Sequence, residues 1–291
     1  MQQTAITFQE PLDYDLIDWN LAWNHRMLAS QAASGRKKTA DQWQGRKNAL
    51  AYWEMAKSTQ KHRIEKTLAD LPITPDSRVL DIGSGPGVLT IPLARKVRHV
   101  TAVDASEAMI AVLSEKAAEA GISNVNCLNK CWESVAPARD LAGPYDVVLA
   151  SLCLTMFDLQ SAVTKMEQAC RGHVYLYWFS GSPGWEDQRR VFEPFAPGIS
   201  QQASIPKCGL LLKVLKQNGI CPNIELFPYV HIDWFNSVDA AADHFYNRFR
   251  ISGGKRTHGL RECVQDLLEE HEGGYRLRSE AECMKIWWQV Q

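Results

Sequence analysis

The chain of 291 residues has almost no net charge and no long apolar run. Lysine and arginine number 32 against 33 aspartate and glutamate residues, which leaves a net charge of −1 at pH 7. Proteins that hold nucleic acid or an anionic membrane surface by charge carry a basic excess. Here the longest basic cluster is Arg36-Lys37-Lys38. No apolar run is long enough to span a bilayer, and the first ten residues are too polar for a signal peptide. We therefore expect a cytoplasmic protein without a nucleic-acid or membrane partner.

Paired cysteines are also missing. The eight cysteines are scattered, and none forms the C-x-x-C pair that is typical of structural zinc sites. Reduced thiols are the expectation for such a chain. Cys127, Cys131 and Cys153 could together bind a trivalent metalloid, but Cys127 falls inside a predicted strand, and cysteine is among the residues most often buried. The sequence therefore predicts no metal site.

The most informative segment that is present runs from residue 79 to residue 104. It reads VLDIGSGPG, then a helix-like stretch, then HVTAVD. An apolar strand carries Asp81 and turns through Gly83, Gly85 and Gly87. A second apolar strand ends at Asp104. Glycines let a backbone approach a ligand closely, and an acid at the end of the second strand can accept hydrogen bonds from ribose hydroxyls. This pattern indicates the first βαβ unit of a nucleotide-type site.

A dinucleotide site is disfavoured by two details. Its G-x-G-x-x-G motif, counted from Gly83, requires a third glycine where this chain has Val88. Asp81 would also face a pyrophosphate at short range, and like charges repel strongly in a partly desolvated cleft. The two acids fit a ligand that carries an ammonium group and a sulfonium centre instead.

The segment resembles motif I of the class I, Rossmann-like S-adenosylmethionine-dependent methyltransferases, D-x-G-x-G-x-G, with the ribose-binding acid that follows it. The resemblance covers residues 72–181 well and the C-terminal part only loosely. It implies S-adenosylmethionine as cofactor, S-adenosylhomocysteine as product, and methyl transfer as the activity.

Alternating strands and helices predict an α/β fold, a three-layer sandwich. The predicted strands are residues 78–82, 99–103, 124–128, 145–150, 173–179, 223–233 and 283–291, and the predicted helices are 86–97, 106–120, 158–170 and 206–218. Continuous apolar strands between helices indicate a mostly parallel sheet with both faces covered. The resemblance implies seven strands, with the last one antiparallel and inserted between the fifth and the sixth.

Two domains are predicted. Residues 1–70 form a helical N-terminal extension whose aromatic residues either build the core of a cap or line a lid over the site. Residues 71–291 form the methyltransferase domain, with a helical insertion at about 235–275.

The resemblance and the predicted strand ends together assign the cofactor contacts. They lie in the glycine turn, after the second strand, in the loop after the third strand and at the end of the fourth strand: Asp81, Gly83, Gly85, Gly87, Asp104, Ala105, Ser106, Met109, Cys131, Trp132, Ala150 and Ser151. Lys130 stands near the position where this family usually presents an acid, which puts the contact to the adenine amine in doubt.

The acceptor side is predicted less directly. The candidate substrate contacts are Trp19, Trp23, Cys153, Trp178, Tyr229 and Tyr246. Methyl transfer is an in-line displacement that depends mainly on alignment, and a base is needed only when the nucleophile must lose a proton. His231 is the first candidate base because its predicted strand alternates it with Tyr229 and Asp233, and His25 and Tyr246 are weaker ones.

The nature of the acceptor stays open. The Asn/Asp-Pro-Pro-aromatic tetrapeptide of glutamine and adenine-N6 methyltransferases is absent, since the position after the fourth strand reads Ser-Leu-Cys-Leu. A small molecule is therefore favoured. A protein side chain is an alternative, and so is a non-catalytic S-adenosylmethionine-binding module, although the intact acids argue against the latter. The sequence leaves the oligomeric state open.

Overall fold

The computed structural model describes residues 16–34, 43–251 and 258–291. The cluster Arg36-Lys37-Lys38 and the first 15 residues of the predicted extension lie outside this part of the chain. No helix among the described residues has the length and apolar character needed to cross a bilayer.

One mixed sheet organises the described residues. Its strands are β1 (Arg78–Ile82), β2 (His99–Asp104), β3 (Val125–Asn129), β4 (Tyr145–Ser151), β5 (Cys170–Phe179), β6 (Asn223–Phe235), β7 (Glu269–His271) and β8 (Gly274–Gln289). The order is β3-β2-β1-β4-β5-β8-β6, with β7 paired to β8. Strands β1 to β5 are parallel, and β8 runs antiparallel to β5 and β6. The predicted insertion of the last strand between the fifth and sixth is confirmed.

Helices cover the sheet. They are α1 (Trp19–Ser34), α2 (Arg46–Thr59), α3 (Lys61–Asp70), α4 (Thr90–Ala94), α5 (Glu107–Glu119), α6 (Pro137–Asp140), α7 (Leu159–Ala169), α8 (Gly184–Phe192), α9 (Cys208–Gln217), α10 (Val238–Arg248) and α11 (His258–Leu267). Helices α5 and α7 begin at capping side chains. The Ser106 side chain accepts from the Met109 N–H, and the Asp158 side chain accepts from the Ser161 N–H. The α/β sandwich is confirmed.

The core has one apolar cluster on each face of the sheet. Leu80 and Val148 face one cluster, and Val79 and Val147 face the other; all four are fully buried. Because strands at the centre of a parallel sheet are covered on both sides, both side-chain rows are apolar. This is the reason why the central strands were readable in the sequence.

Three boundaries differ from the sequence prediction. The helix expected over 86–97 is only α4, because the preceding turn places Gly83, Gly85 and Gly87 at positive φ, which helical backbone does not allow. The expected insertion ends in β7, so the described sheet has eight strands and not seven. Strand β8 begins nine residues earlier than the predicted residue 283, since residues 274–282 alternate in polarity and lack the apolar run that was used to find it.

Strands β6 and β8 extend beyond the rest of the sheet. Phe179, the last residue of β5, pairs with Cys283, which in turn pairs with Phe227. Residues 228–235 of β6 and 274–282 of β8 therefore continue beyond β5 as a ribbon, here called the arm, for about 25 Å at the usual rise per residue. Strand β7 pairs with β8 at the tip of the arm. Helices α8, α10 and α11 pack on one face of the arm through an apolar cluster that includes Phe192, Phe245 and Leu277.

Helix α1 belongs to the main core. Trp23 is fully buried, its indole N–H donates to the Met156 carbonyl oxygen at 2.8 Å, and its ring lies 6.5 Å from that of Trp178. Trp23 and Met27 share the apolar cluster that includes Leu80 and Val148 of the sheet. The predicted boundary at residue 70 therefore does not separate two hydrophobic cores.

We expect Trp23→Ala to lower the free energy of unfolding by about 3–5 kcal/mol, because the substitution leaves a cavity and an unpaired carbonyl oxygen in the core. Leu28→Ala on the same helix is the control; Leu28 is half exposed, and its loss should change stability by no more than about 0.5 kcal/mol. Urea unfolding followed by tryptophan fluorescence and circular dichroism measures both. Equal, small effects of the two substitutions would show that α1 does not contribute to the core.

Candidate active site

A cleft opens at the carboxyl ends of β1, β2 and β4, where ligands bind in open α/β sheets. Its lining comes from the ends of β1, β2 and β4 and the segments that follow them, from the loop after β3, from helices α2 and α3, and from Trp43, which precedes α2. The lining residues are Trp43, Tyr52, Arg63, Asp81, Ile82, Gly83, Ser84, Gly85, Val88, Leu89, Val103, Asp104, Ala105, Met109, Lys130, Cys131, Trp132, Glu133, Ser151, Leu152, Cys153, Thr155 and Met156. Ten of the predicted cofactor and substrate residues are in this set.

The Asp104 carboxylate joins two loops of the cleft. Its Oδ2 accepts from the Gly85 N–H at 2.9 Å, and its Oδ1 accepts from the Ser106 N–H at 2.8 Å. Burial raises the pKa of this carboxyl, and the two amides partly oppose the rise. Each carboxylate oxygen has a further lone pair, so the group can still accept hydrogen bonds from a diol in the cleft.

Asp81 is a buried acid at the floor of the cleft. Its carboxylate is 2% exposed, and its Oδ2 accepts from the Thr90 hydroxyl at 2.6 Å. Burial raises the pKa of Asp81 to about 7; the Thr90 hydrogen bond and the charge of Arg63 oppose the rise, and Asp104 adds to it. A buried carboxylate with a pKa this high favours a cationic ligand, because a positive charge nearby stabilises its ionised form.

The three glycines serve different purposes. A Cβ on Gly83 would overlap the Cys153 side chain, and a Cβ on Gly87 would overlap Leu113 of α5. A Cβ on Gly85 would meet no atom within 4 Å. Gly85 is therefore the glycine that leaves room on the cleft side. Gly87, which was predicted as a cofactor contact, does not line the cleft. The side on which its Cβ would stand faces Leu113, so the lack of a side chain allows α5 to pack against the turn.

The end of β4 is unusual in its backbone. Leu152 has φ 57, an uncommon value for a residue with a branched side chain, and its N–H donates to the Tyr177 carbonyl oxygen at 3.0 Å. The next residue, Cys153, donates its thiol to the Ile82 carbonyl oxygen at 2.9 Å. Backbone strain of this kind is concentrated at functional sites, and here it sharply turns the chain at the cleft wall.

The loop after β3 forms one rim of the cleft. The Cys131 thiol donates to Glu133 Oε2 at 2.7 Å, and burial raises the pKa of this thiol to about 11, so it stays protonated. Trp132 is buried, and its indole N–H donates to the Ala162 carbonyl oxygen. Lys130 forms an ion pair with Asp140 at 2.6 Å. A carboxylate, that of Glu133, thus lies on the same rim two residues beyond Cys131.

Arg63 is a site residue that sequence reasoning missed. It lies near the start of α3, is 5% exposed, and donates to the Gln60 side-chain oxygen through Nε and Nη2 and to the Ser151 hydroxyl through Nη1 at 2.9 Å. Gln60 in turn donates to the Tyr229 hydroxyl at 2.8 Å. An arginine in a helix rich in charge is normally on the solvated face, so nothing in the local sequence marked it.

Helix α2 and the residues before it close one side of the cleft. Trp43 and Tyr52 both line it, and their rings meet edge to face at 5.3 Å. Burial raises the pKa of the Tyr52 phenol, so its hydroxyl is a hydrogen-bond donor at neutral pH. The Ser106 hydroxyl donates to the Trp43 carbonyl oxygen at 2.8 Å, which ties this segment to α5.

Several predicted residues lie outside the cleft lining. Ala150 is fully buried in the sheet, and Ser106 uses its hydroxyl to cap α5. Trp178 and Trp23 are in the core, where the Trp178 indole N–H donates to the Pro206 carbonyl oxygen at 2.7 Å. The lining therefore does not include these predicted contacts, because packing and internal hydrogen bonds already occupy their side chains.

The remaining acceptor-side candidates lie on other surfaces. Trp19 packs against α9, with Lys213 Nζ 3.8 Å from its ring centre, and Tyr246 packs in the cluster between the arm and its helices. Tyr229 is connected to the cleft through Gln60 and Arg63. His231 lies on the arm, with its Nε2 3.0 Å from Asp233 Oδ1, and His25 is exposed on α1.

The three thiols weighed as a metalloid site are not together. Cys131 and Cys153 line the cleft, but Cys127 faces α5, where it accepts from the Ser114 hydroxyl. Among the described residues, no group of three or more histidine, cysteine or acidic side chains could hold a metal ion.

Gly85 and Gly87 offer a matched test of the geometry of the turn after β1. Both have positive φ, so alanine strains the backbone at either position. Gly87→Ala must also displace Leu113, and we expect it to lose about 1–3 kcal/mol more stability than Gly85→Ala. Thermal and urea unfolding measure the difference. If the two variants are equally stable, Gly87 does not act through its contact with α5.

Comparisons with known proteins agree with this geometry. A methyltransferase-domain family matches residues 79–172. A ubiquinone biosynthesis O-methyltransferase of Acinetobacter baumannii is 30% identical over 189 residues, which cover 53% of this chain and 76% of the relative. A Haemophilus influenzae protein is 31% identical over 55% of this chain and 57% of its own length. A 23S rRNA uracil-C5 methyltransferase of Methylococcus capsulatus is 34% identical over 26% of this chain and only 17% of its own length. The chain thus spans less than two thirds of several curated relatives.

Two solved structures share the fold at low sequence identity. The YcgJ protein from Bacillus subtilis has a TM-score of 0.52 and 15% identity, and the match covers 79% of this chain and 98% of that one. A methyltransferase-like protein from Bacillus halodurans also has a TM-score of 0.52, with 16% identity over 77% and 97% of the two chains. The acidic, glycine-lined cleft and the sequence relatives together show that this chain belongs to the class I S-adenosylmethionine-dependent methyltransferases.

Proposed function

We propose that this protein transfers a methyl group from S-adenosylmethionine to a small-molecule acceptor in the cleft. The observation that carries the proposal is the meeting of a buried acid, Asp81, and a half-buried one, Asp104, with an open glycine turn. Asp81 and Asp104 line one cavity, and Gly85 leaves space beside them. The Ser84 hydroxyl in the same cavity is buried and has no hydrogen-bond partner among the described residues, as expected where a polar ligand completes the site.

The residues present fit the cofactor. Bound S-adenosylmethionine would supply a methyl group on a positively charged sulfur. Asp81 is suited to the ammonium group, Arg63 to the carboxylate and Asp104 to the ribose hydroxyls. Met109 and Trp132 offer apolar surface to the adenine ring, and a hydrogen-bond acceptor for its amine is available at the same rim.

The hydrogen-bond acceptor for the adenine amine is the carboxylate of Glu133. It is exposed in the cleft lining and already accepts from the Cys131 thiol. An ionised carboxylate can accept hydrogen bonds at both oxygens, so it can serve a second donor. We propose it in place of the acid that the family usually presents near Lys130.

The methyl acceptor would enter beside Tyr52, Thr155 and Met156, which line the cleft. The chain's contribution to the transfer is alignment and exclusion of water, because the displacement needs an in-line approach. Trp43 and Tyr52 cover the mouth, so we assign the covering role to α2 and not to α1. His231 stays a candidate base for acceptors that must lose a proton.

A small molecule is supported over a macromolecule by two features. Helices α2 and α3 contribute to the lining of the cleft, and the net charge of −1 gives the chain no basic excess. The relative from Acinetobacter baumannii is named for ubiquinone biosynthesis, which is consistent with a small acceptor. All eight cysteines are free thiols, which supports a reducing compartment such as the cytoplasm.

The experiment that tests the proposal uses methyl-labelled S-adenosylmethionine, the full chain and a cell extract separated afterwards into small molecules, protein and RNA. Label in the small-molecule fraction, with release of S-adenosylhomocysteine, is the expected result. Label only in protein or RNA would overturn the acceptor class. Binding without any transfer would favour the non-catalytic alternative.

Asp104→Ala should weaken S-adenosylmethionine binding by about 1–3 kcal/mol through the lost hydrogen bonds to the ribose and to the two loop amides. Titration calorimetry measures the change. Asp76→Ala, which removes an exposed carboxylate, is the control and should bind normally. An unchanged affinity of a folded Asp104→Ala protein would contradict the cofactor assignment.

Binding should also depend on pH through Asp81. Its raised pKa means that the carboxyl is protonated and neutral below about pH 7. Since the ionised form attracts the ammonium group, affinity should rise with pH up to about 7 and fall roughly tenfold per unit below it. Asp81→Asn should bind more weakly and lose this dependence. Calorimetry between about pH 6 and pH 8, about one unit either side of that pKa, measures both proteins. A parallel pH profile for the two would refute the role of Asp81.

A further inference from the structure

Arg63 is a buried cation whose hydrogen-bond partners carry no charge. Among the described residues, its guanidinium donates to the Gln60 side-chain oxygen and to the Ser151 hydroxyl. The residue is 5% exposed and lines the cleft. A buried charge is costly unless an opposite charge or a full set of hydrogen bonds compensates it. An anion that binds in the cleft would therefore stabilise a cation that the chain itself leaves without a counter-charge.

The guanidinium keeps donors for such an anion. Nε and Nη2 of Arg63 donate to Gln60 Oε1 at 3.1 and 2.8 Å, and Nη1 donates to Ser151 Oγ at 2.9 Å. Since a guanidinium has five N–H groups, one on each terminal nitrogen remains, and these two nitrogens form a fork that matches the two oxygens of a carboxylate. Burial raises the pKa of Asp81 and of Tyr52, and the charge of Arg63 opposes both rises. The cation therefore lies near the acid that suits an ammonium group.

Gln60 is held in place from two sides. It is 2% exposed and stands between α2 and α3, where its backbone N–H donates to the Ala56 carbonyl oxygen at 3.0 Å. Its side-chain nitrogen donates to the Tyr229 hydroxyl of the arm at 2.8 Å, which directs its side-chain oxygen at Arg63. The amide cannot rotate its nitrogen toward the guanidinium without losing that hydrogen bond. Gln60 thus fixes the position of the cation without neutralising its charge.

We propose that Gln60 is a positioning residue that makes the cleft specific for a cofactor with a free carboxylate, because it holds Arg63 with a neutral acceptor. The inference rests on the proposed function, since S-adenosylmethionine and S-adenosylhomocysteine both carry that carboxylate. An acid in place of the Gln60 amide would also hold the guanidinium, but it would compensate its charge and repel the carboxylate of the cofactor. Tyr229 contributes to the same arrangement, because its hydroxyl orients the amide.

Stability and affinity together separate this role from a purely structural one. Gln60→Glu keeps the size of the side chain and gives the buried cation a counter-charge. We therefore expect it to unfold at the same urea concentration as the wild type or at a higher one. Its affinity for S-adenosylhomocysteine should nevertheless fall, on the order of tenfold or more. A residue that acts only through packing would change stability and affinity in the same direction, and that result would contradict the proposal.

Two ligands isolate the contribution of the carboxylate. Decarboxylated S-adenosylhomocysteine keeps the adenosine, the sulfur and the ammonium group, and lacks only the carboxylate. In titration calorimetry of the full chain, the wild type should bind S-adenosylhomocysteine on the order of tenfold or more tightly than this analogue. Gln60→Glu should lose that preference. Equal wild-type affinities for the two ligands, or a preference that survives Gln60→Glu, would overturn the inference and leave the proposed function standing. Failure of the wild type to bind either ligand would overturn both.

A second buried glutamine provides the matched control. Gln188 on α8 is 8% exposed, its side-chain nitrogen donates to the Ser279 hydroxyl of the arm at 2.8 Å, and it does not line the cleft. Gln188→Glu introduces the same charge and should leave both affinities unchanged. If it weakens the binding of S-adenosylhomocysteine as much as Gln60→Glu does, the effect of the charge does not pass through Arg63.

Tyr229→Phe tests the same arrangement without adding a charge, and it decides the question if Gln60→Glu does not fold. It removes the hydroxyl that orients Gln60, so it should weaken the binding of S-adenosylhomocysteine and not that of the decarboxylated analogue. Tyr145→Phe is its control, because it removes a buried hydroxyl that donates to Thr101 at the start of β4. If the two variants bind S-adenosylhomocysteine equally well, Gln60 does not position Arg63.

Discussion

The carboxylate of Asp104 is the group on which the cleft depends. By accepting from the amides of Gly85 and Ser106, it joins the turn after β1 to the start of α5, and both loops take their shape from that contact. The partial burial of this carboxyl raises its pKa. The same constraint appears at Asp81, where Thr90 holds a carboxylate that burial would otherwise leave without a partner. Two acids are thus kept in a small volume where a cationic, hydroxyl-bearing ligand would relieve their cost.

The N-terminal helices are part of the same construction. Helix α1 inserts Trp23 into the core beneath Met156, a residue of the cleft wall. Helix α3 delivers Arg63, whose guanidinium connects Ser151 at the end of β4 to Gln60 and, through Gln60, to Tyr229 at the base of the arm. The wall of the cleft and the arm are therefore mechanically linked through one buried cation, although they lie far apart in sequence.

Prediction from sequence succeeded where short-range rules apply. The central strands are apolar on both sides, Ser106 stands where an N-cap is required, and Asp81, Gly85 and Asp104 belong to one contiguous motif. It failed where a side chain's role is set by a distant neighbour. Trp23 and Trp178 look like binding aromatics until each is found donating its indole N–H to a core carbonyl. The start of β8 was missed because its residues alternate in polarity and the prediction relied on an apolar run.

The chain's order of residues alone thus specified the sheet, its βα turn, the class of donor and the family, because these rest on contacts within about 25 residues along the chain or on the periodicity of burial. Tertiary structure decided which of the candidate residues share a cleft. Arg63, Tyr52 and Glu133 reach it from separate elements, and Gly87 leaves it because Leu113 of α5 lies behind it. It also decided that β6 buries Phe227 and Tyr229 and leaves Ile224 and Leu226 exposed. The physical reason is the same in each case: a side chain's environment is set by packing between elements, which local patterns do not contain.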